Sequence, residues 1–354
     1  MTERLDAIAL GEIMLRLDPL DSRIAQAESF TVRIGGGEFN MIAGLSSCFH
    51  LKTGVVTAIP SNDVGDLLLT KIRATGVDTS LVLFRDDDGI GGTARVGINF
   101  TERGFGARAG LGISDRARSA PAGMQVGDMN WDDVFSATQP RLFHTGGVFT
   151  ALSPETARLA LEAVRTAKQH GALVSYDVNF RPSLWAALSD QRQHAETIRE
   201  LLANVDILIS NEPEYMLSIG ETTTTRGNTS ATQFERLIDD VKERFPNIGI
   251  VAATQRVVHS ASSNDWGAIA WSDGTGIIAT RMMRNIEILD RIGGGDSFVS
   301  GLAFGILNGQ SLKDSLALGV AHGALAMSTP GDLSMAKRDE VEALAAGHAP
   351  VTRR

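Results

Sequence analysis

The sequence predicts an α/β fold in which helices cover both faces of a mostly parallel sheet. Two observations lead to this prediction. Short apolar runs alternate along the chain with longer segments of helical character, and the connections between them are short. Such alternation is typical of parallel βα units. In this architecture ligands bind beyond the carboxyl ends of the strands, so that edge is where we expect a functional site.

The individual elements follow from the same pattern. The predicted strands are residues 5–10, 55–59, 142–144, 173–178, 205–210 and 248–252. The predicted helices are residues 38–49, 64–74, 154–169, 212–219, 233–245, 296–307 and 312–327. The helix from residue 296 is well marked, because Phe298 and Leu302 stand among small residues and Gly309 can end it.

Two stretches break the alternation. Residues 13–34 contain strand-like pieces and turns, and residues 81–119 are glycine-rich with short strands such as "TARVGINF". We expect these two stretches to form a small β lid at one edge of an α/β core. The core is then made of residues 1–12, 35–80 and 120–354. A chain of 354 residues commonly forms one large domain or two domains of unequal size.

Composition argues against several kinds of partner. The net charge is −9, the pI is about 5.3 and no long Lys/Arg cluster occurs, so we expect no binding to nucleic acid. The single cysteine, Cys48, excludes an internal disulfide framework and suits a reducing cytoplasm. The first residues carry charges throughout and lack a long apolar run, so we expect neither a signal peptide nor a membrane span.

The stretch "DRIGGGDSF" carries the clearest chemical signal. Gly293, Gly294 and Gly295 precede Asp296 at the head of a predicted helix. A glycine turn that opens a helix points free N–H groups outward, and such groups bind anions. A fixed carboxylate would repel the same anion unless it faced another substrate group, such as a hydroxyl from which it takes a proton. The alternative is that Asp296 only caps the helix.

Two further motifs have equally simple alternatives. In "RIGGGEFNMIAG", Gly35 to Gly37 precede Asn40 and a helix, which a tight turn alone would explain. In "SNEPEY", Asn211 and Glu214 stand three residues apart, which is the spacing of a capping box. None of the three motifs is specific by itself.

Their joint order resembles the ribokinase family of sugar kinases, also called the PfkB family. The resemblance extends from "IALGEIMLRLDP" to "ALAMSTPGDL", nearly the whole chain. It implies a ribokinase-like three-layer sandwich with the small β lid over the sugar site. It also implies transfer of the γ-phosphate of ATP to a sugar hydroxyl with Mg²⁺, and leaves open a monovalent cation and a homodimer formed through the lid.

The resemblance assigns roles to the motif residues. Asp296 is expected to act as the base, with the amides of Gly293, Gly294 and Gly295 as the anion hole. Gly36 and Asn40 are expected to bind the sugar.

The nucleotide side is assigned in the same way. Asn211 and Glu214 match the N-x-x-E pattern that helps to hold phosphate and magnesium through water. Thr254 stands in the Thr-x-Gly nucleotide loop, although Arg256 replaces the glycine here, and Gly267 is expected near the adenine.

Two arginines suggest the substrate. Arg116 in "SDRARSA" and Arg181 in "DVNFRPSLW" resemble positions of 2-keto-3-deoxygluconate kinases, where arginines face the sugar acid. A guanidinium can bind a carboxylate through two parallel hydrogen bonds. The chain departs from that branch at Ser114, where a tyrosine is common, and its two tyrosines, Tyr176 and Tyr215, lie outside the lid.

Other functions stay open. The substrate could be another sugar, such as fructose, ribose or a deoxy-keto-inositol acid. The protein could also be a sugar- or nucleotide-binding regulator without turnover, although such a protein would not need Asp296. A dinucleotide oxidoreductase is disfavoured, because the first βα turn lacks G-x-G-x-x-G and no G-x-x-x-x-G-K-[ST] loop occurs anywhere.

Overall fold

The computed structural model describes residues 4–223 and 230–348, so the outermost residues of the expected core lie outside it. The strands are β1 (Ala7–Leu10), β2 (Met14–Asp18), β3 (Thr31–Gly35), β4 (Thr53–Pro60), β5 (Val82–Arg85), β6 (Gly97–Glu102), β7 (Leu111–Asp115), β8 (Leu142–Gly146), β9 (Leu173–Asp177), β10 (Ile207–Ile209), β11 (Ile250–Ser260), β12 (Ser263–Ser272), β13 (Gly276–Ala279) and β14 (Met283–Glu287).

The helices occupy the connections between these strands. They are α1 (Gly37–Ser47), α2 (Asp63–Arg73), α3 (Trp131–Thr138), α4 (Gly147–Thr150), α5 (Pro154–Gln169), α6 (Pro182–Ala187), α7 (Gln191–Leu202), α8 (Glu212–Ser218), α9 (Ala231–Arg244), α10 (Gly294–Leu307), α11 (Leu312–Ala326) and α12 (Arg338–Ala345). All seven helices predicted from the sequence are present. None of the helices in the described ranges is both long and apolar enough to cross a lipid bilayer.

The large sheet has the order β13-β12-β11-β10-β9-β8-β1-β4-β5, with β14 paired to β12. From β11 to β5 every neighbouring pair is parallel, whereas β12 pairs antiparallel with β11, β13 and β14. The mostly parallel sheet predicted from the sequence is therefore confirmed, with an antiparallel extension at one edge.

Helices cover both faces of this sheet, and each face has its own apolar core. Along β1, Ile8 and Leu10 pack on one face, where α3, α5, α7 and α9 lie. Ala7 and Ala9 pack on the opposite face, under α1, α2, α10, α11 and α12. This alternation follows from the two-residue period of a strand. The result is the three-layer arrangement expected from the resemblance.

A second, four-stranded sheet has the order β3-β2-β6-β7. Its outer pairs are antiparallel and the central β2–β6 pair is parallel. All four strands come from the two stretches that broke the alternation in the sequence. One strand from those stretches differs: β5 pairs with β4 and forms the edge of the large sheet.

Helix α10 is fixed in place by unusually close packing against α11. A β-carbon added to Gly301 would lie 2.6 Å from the Leu318 carbonyl oxygen, and one added to Gly319 would lie 2.8 Å from the Phe298 carbonyl oxygen. Glycine at both positions lets the two backbones approach. This packing fixes the position of α10 relative to α11, with the amino-terminal end of α10 beside the cavity.

Candidate active site

A cavity of about 590 Å³ opens at the carboxyl ends of β9 and β10, between the small sheet and the amino-terminal ends of α1 and α10. It lies at the edge of the sheet where a ligand was expected. The structure brings together the following predicted site residues in its lining: Gly36, Asn40, Arg116, Arg181, Asn211, Glu214, Thr254, Gly293, Gly295 and Asp296. Gly267 and Gly294 do not belong to that lining.

The amino terminus of α10 presents a glycine cap and N–H groups without partners inside the helix. Gly293 is the N-cap, with φ of +79°, and a β-carbon there would lie 1.9 Å from the Asp332 carbonyl oxygen, so only glycine fits. The amides of Gly294, Gly295 and Asp296 form the first turn and have no partner within the helix. The N–H of the Gly293 cap has no intrahelical partner either, because the first four N–H groups of a helix lack one. Gly294 itself is buried against Met327, but its N–H belongs to this turn.

Asp296 is not a helix cap, because it occupies the third position of α10 and its carboxylate turns elsewhere. Asn40 Nδ2 donates to Asp296 Oδ2 at 2.7 Å, and Gly36 N donates to Asn40 Oδ1 at 3.3 Å. Asn40 was expected to bind the sugar. Its amide oxygen and one N–H are bonded to protein groups, so Asn40 orients the carboxylate of Asp296, while its expected contact with the sugar stays a prediction.

Carboxylates crowd this part of the cavity. Burial raises the pKa of Asp296, while the Asn40 N–H and the nearby Arg181 act in the opposite direction. Asp177, at the end of β9, has a pKa well above its usual value because of burial and because of the charges of Asp296 and Glu214. Asp177 was missed in the sequence, although a carboxylate that ends a strand at the ligand edge was a usable signal.

The N-x-x-E motif forms only half of the expected capping box. Asn211 Oδ1 accepts a hydrogen bond from Glu214 N at 2.9 Å, which caps α8. The reciprocal bond is replaced, because Glu214 Oε2 accepts from Phe180 N at 3.3 Å. The carboxylate of Glu214 is thus turned away from its own helix and lines the cavity.

Two arginines that the motifs did not single out as site residues face this side of the cavity. Arg256 on β11 and Arg291 before the glycines both line it, beside Thr254. Burial lowers the pKa of Arg256, and the positive charge of Arg291 lowers it further, while Glu214 opposes both effects. Neither arginine has an ion-pair partner within 4.0 Å among residues 4–223 and 230–348. These two cations are available to a ligand.

The small sheet supplies the opposite wall, through Met14, Asn99, Ser114 and the following Arg116. Ser114 Oγ donates to Asn99 Oδ1 at 3.4 Å across the β6–β7 pair.

The two predicted substrate arginines are held differently. Arg116 is anchored from behind, because its Nε donates to the buried Glu12 at 2.7 Å. Arg181 is exposed at the start of α6, and its Nη1 lies 3.5 Å from the Phe180 carbonyl oxygen. Arg116 is therefore restrained by an ion pair with a buried carboxylate, whereas Arg181 is the more exposed of the two guanidinium groups.

Gly267 faces away from this cavity. A β-carbon there would lie 2.5 Å from Met282 Sδ, and Met282 lines a second, mainly apolar cavity of about 500 Å³ between β13, β14, α11 and α12. Trp266 lies between the two cavities. It lines the first cavity, and its Nε1 donates at 3.0 Å to the carbonyl oxygen of Val320, which lines the second cavity.

Comparison with known proteins places these features in a family context. The model of the pfkB family carbohydrate kinase matches residues 4–338. A 2-dehydro-3-deoxygalactonokinase from Haloferax volcanii is 28% identical, covering 97% of this chain and 97% of the relative. A 2-dehydro-3-deoxygluconokinase from Bacillus subtilis is 24% identical, with 93% and 92% covered.

Solved structures agree. A 2-dehydro-3-deoxygluconokinase from Thermotoga maritima superposes with a TM-score of 0.86 at 30% identity, covering 98% of this chain and 100% of that one. The fold is also shared with a putative Ribokinase II from E. coli in complex with ATP and Mg²⁺, with a TM-score of 0.77 at 18% identity and 97% and 100% covered.

The hydrogen bond from Asn40 to Asp296 yields a pH-dependent test. Replacement Asn40→Ala removes a donor that stabilises the ionised carboxylate, so the pKa of Asp296 is expected to rise by about one pH unit or more. Carboxyl ¹³C NMR titration measures it, with the signal assigned by its loss in Asp296→Asn. The control is Asn99→Ala, which removes an asparagine from the same cavity. An equal pKa in Asn40→Ala and the parent protein would contradict the assigned role.

Proposed function

The chain belongs to the pfkB family of carbohydrate kinases, and from that premise we propose that it phosphorylates a sugar acid, 2-keto-3-deoxygluconate, at its terminal hydroxyl, with Asp296 as the base. The chain is a sugar kinase, and kinases of this family use ATP as the phosphate donor. The observation that carries the proposal is the placement of one oriented carboxylate in the first turn of α10, whose amides have no partner within the helix, beside a cavity large enough for a sugar.

The proposed chemistry needs little from the protein beyond position and charge. Asp296 takes the proton of the sugar hydroxyl, and that oxygen forms a bond to the γ-phosphorus as the bond to the bridging oxygen of ADP breaks. The amides of Gly294, Gly295 and Asp296 stabilise the negative charge on the transferring phosphoryl group. The raised pKa of Asp296 makes it a stronger base than an exposed aspartate, while Asn40 keeps it ionised enough to act.

The residues present fit magnesium bound mainly through ATP and water. No cluster of three or more His, Cys, Asp or Glu side chains in the described part of the chain is arranged to hold a metal ion. Mg²⁺ commonly takes one or two carboxylates plus substrate phosphates, and Glu214 lines the cavity beside the mutually repelling Asp177 and Asp296. We propose that Glu214 holds magnesium through water. Bound magnesium neutralises charge on the phosphates.

Nucleotide binding is proposed at the end of the cavity near β11. Arg256 and Arg291 offer unpaired positive charge to the phosphates, and Thr254 and Asn211 offer polar groups beside them. The adenine is proposed to reach toward the apolar second cavity past Trp266, where Gly267 keeps β12 close to Met282. In this arrangement Arg256, which stands where the family nucleotide loop has glycine, would contact the phosphates through its positive charge.

The sugar-acid assignment rests on Arg116 and Arg181. Both face the cavity, and the exposed Arg181 can turn to a carboxylate, whereas Glu12 restricts Arg116. The similar proteins named as kinases of 2-dehydro-3-deoxy sugar acids support this class. A second candidate is a 5-dehydro-2-deoxygluconate substrate, because relatives of that name include one from Bacillus licheniformis at 24% identity over 91% of this chain and 90% of the relative.

We propose that residues 13–34 and 81–119, apart from β5, act as a lid over the sugar.

The exposed Leu111 and Ile113 on edge strand β7 support a homodimer formed through this sheet. A mass of one chain in sedimentation equilibrium would contradict the homodimer. A cytoplasmic location is proposed from the single cysteine Cys48 and the use of ATP.

A substrate panel tests the proposed function. The purified protein is mixed with ATP, magnesium and 2-keto-3-deoxygluconate, 2-keto-3-deoxygalactonate, 5-dehydro-2-deoxygluconate, fructose or ribose, and ADP release is measured. We expect the highest kcat/KM for a keto-deoxy acid, and a product heavier by one phosphate. Parallel assays in potassium and tetramethylammonium salts test the proposed monovalent cation. Sugar binding without ADP release from any substrate would contradict catalysis and favour the regulator.

The carboxylate contact has its own test. Arg181→Ala is expected to reduce kcat/KM for the sugar acid by about tenfold to a hundredfold, because a charged hydrogen-bonded pair is lost, and to reduce it far less for a neutral sugar. Arg118→Ala is the matched control, since Arg118 is an exposed arginine that does not line the cavity. Equal losses for acid and neutral sugars would remove the carboxylate assignment.

A further inference from the structure

The largest fully buried side chain in the described ranges is a charged one. Arg16, on β2 of the small sheet, is 1% exposed. Its Nη1 lies 2.5 Å from Asp332 Oδ1, and its Nη2 lies 2.5 Å from Asp290 Oδ2 and 3.3 Å from Asp18 Oδ2. A buried guanidinium shared by three carboxylates is costly to form unless its geometry is well satisfied, so its position calls for an explanation.

Two of the three carboxylates belong to the segments that carry the anion-binding turn. Asp290 Oδ1 accepts from Ile292 N at 3.2 Å, and Asp290 Oδ2 accepts from Gly331 N at 3.1 Å. The carbonyl oxygen of Asp332 closes against the α-carbon of Gly293, at the place where a β-carbon would stand. Arg16 thus connects the backbone on both sides of the Gly293 cap to a strand of the small sheet.

We propose that Arg16 is a positioning residue, whose guanidinium sets the conformation of the Asp290–Gly293 and Gly331–Asp332 segments and so aims the first-turn amides of α10. This inference rests on the proposed role of those amides in phosphoryl transfer. It also makes the small sheet part of the catalytic geometry, since a displacement of β2 would move the anion-binding turn.

Charge explains why an arginine is needed here. Asp18 has further cations nearby, because Arg103 Nε lies 3.6 Å and Arg33 Nε 3.9 Å from its Oδ2. Asp290 and Asp332 have no cation within 4.0 Å other than Arg16 in the part of the chain described. Without the guanidinium, these two carboxylates would repel each other and place uncompensated negative charge beside an incoming phosphate, because Asp332 also lines the cavity.

The test compares Arg16→Lys, Asp332→Asn and Asp18→Asn, each checked for folding by circular dichroism. Lysine keeps the charge but its ammonium cannot form the forked pair of bonds to Asp290 and Asp332. We expect Arg16→Lys and Asp332→Asn to lower kcat tenfold or more, the scale of an impaired anion hole, with KM for the sugar changed less than about threefold. Asp18 contacts the same guanidinium but not the glycine turn before α10, so Asp18→Asn is expected to change kcat less than about threefold.

A second readout does not depend on turnover. Hydrogen–deuterium exchange of the peptide spanning residues 290–296 is expected to be faster in Arg16→Lys and Asp332→Asn than in Asp18→Asn. Unchanged kcat and unchanged exchange in Arg16→Lys would overturn the inference, as would equal effects of all three substitutions, which would indicate general destabilisation. If the parent protein phosphorylates no sugar but the exchange pattern is as expected, the proposed function fails and the positioning of the turn by Arg16 stands.

Discussion

The hydrogen bond between Asn40 and Asp296 is the interaction on which the site depends. It joins the first turns of α1 and α10, two helices that each begin at a glycine turn. A β-carbon on Gly36 would lie 2.0 Å from the Glu12 carbonyl oxygen, so α1 can start at this place only because the cap lacks a side chain. Gly293 has the same effect on α10, because the lack of a side chain there lets the helix begin against the backbone of Asp332. These two close backbone approaches place one oriented carboxylate beside amides without intrahelical partners. The large sheet holds both helix ends at its carboxyl edge.

The cavity is lined by both carboxylates and cations. The charges of Asp296 and Glu214 add to burial in raising the pKa of Asp177. Arg181, Arg256 and Arg291 line the same cavity, and the last two have no ion-pair partner in the described part of the chain. In the proposed reaction the sugar acid and ATP are both anionic, so these cations would attract both substrates to the cavity.

The sequence was informative wherever the signal was local. A glycine run followed by a helix is a backbone pattern, so the motif order was enough to predict the fold, and most of the predicted site residues line the cavity. Asp296, the partner of Asn40, lies 256 residues away, and Asp332, one of the partners of Arg16, lies 316 residues away. A local sequence pattern cannot reveal contacts over such separations. β5 was assigned to the lid because it adjoins a glycine-rich stretch, and the β11–β12 hairpin departs from the βα alternation that guided the other assignments. Asp177 alone had a local signal that went unused.

The proposed role of Asp296 as the base is tested most directly by comparing Asp296→Asn with Asp177→Asn, two isosteric changes to neighbouring half-buried carboxylates. Single-turnover phosphoryl transfer to the best substrate is measured for each, together with ATP affinity by calorimetry. We expect the ATP affinity of Asp296→Asn to stay within about threefold of that of the parent protein. Its rate is expected to fall by about a hundredfold to ten-thousandfold, which is the range for loss of a general base. The fall for Asp177→Asn is expected to be much smaller. A near-normal rate in Asp296→Asn would contradict the proposed role of Asp296, most clearly if Asp177→Asn were the inactive protein.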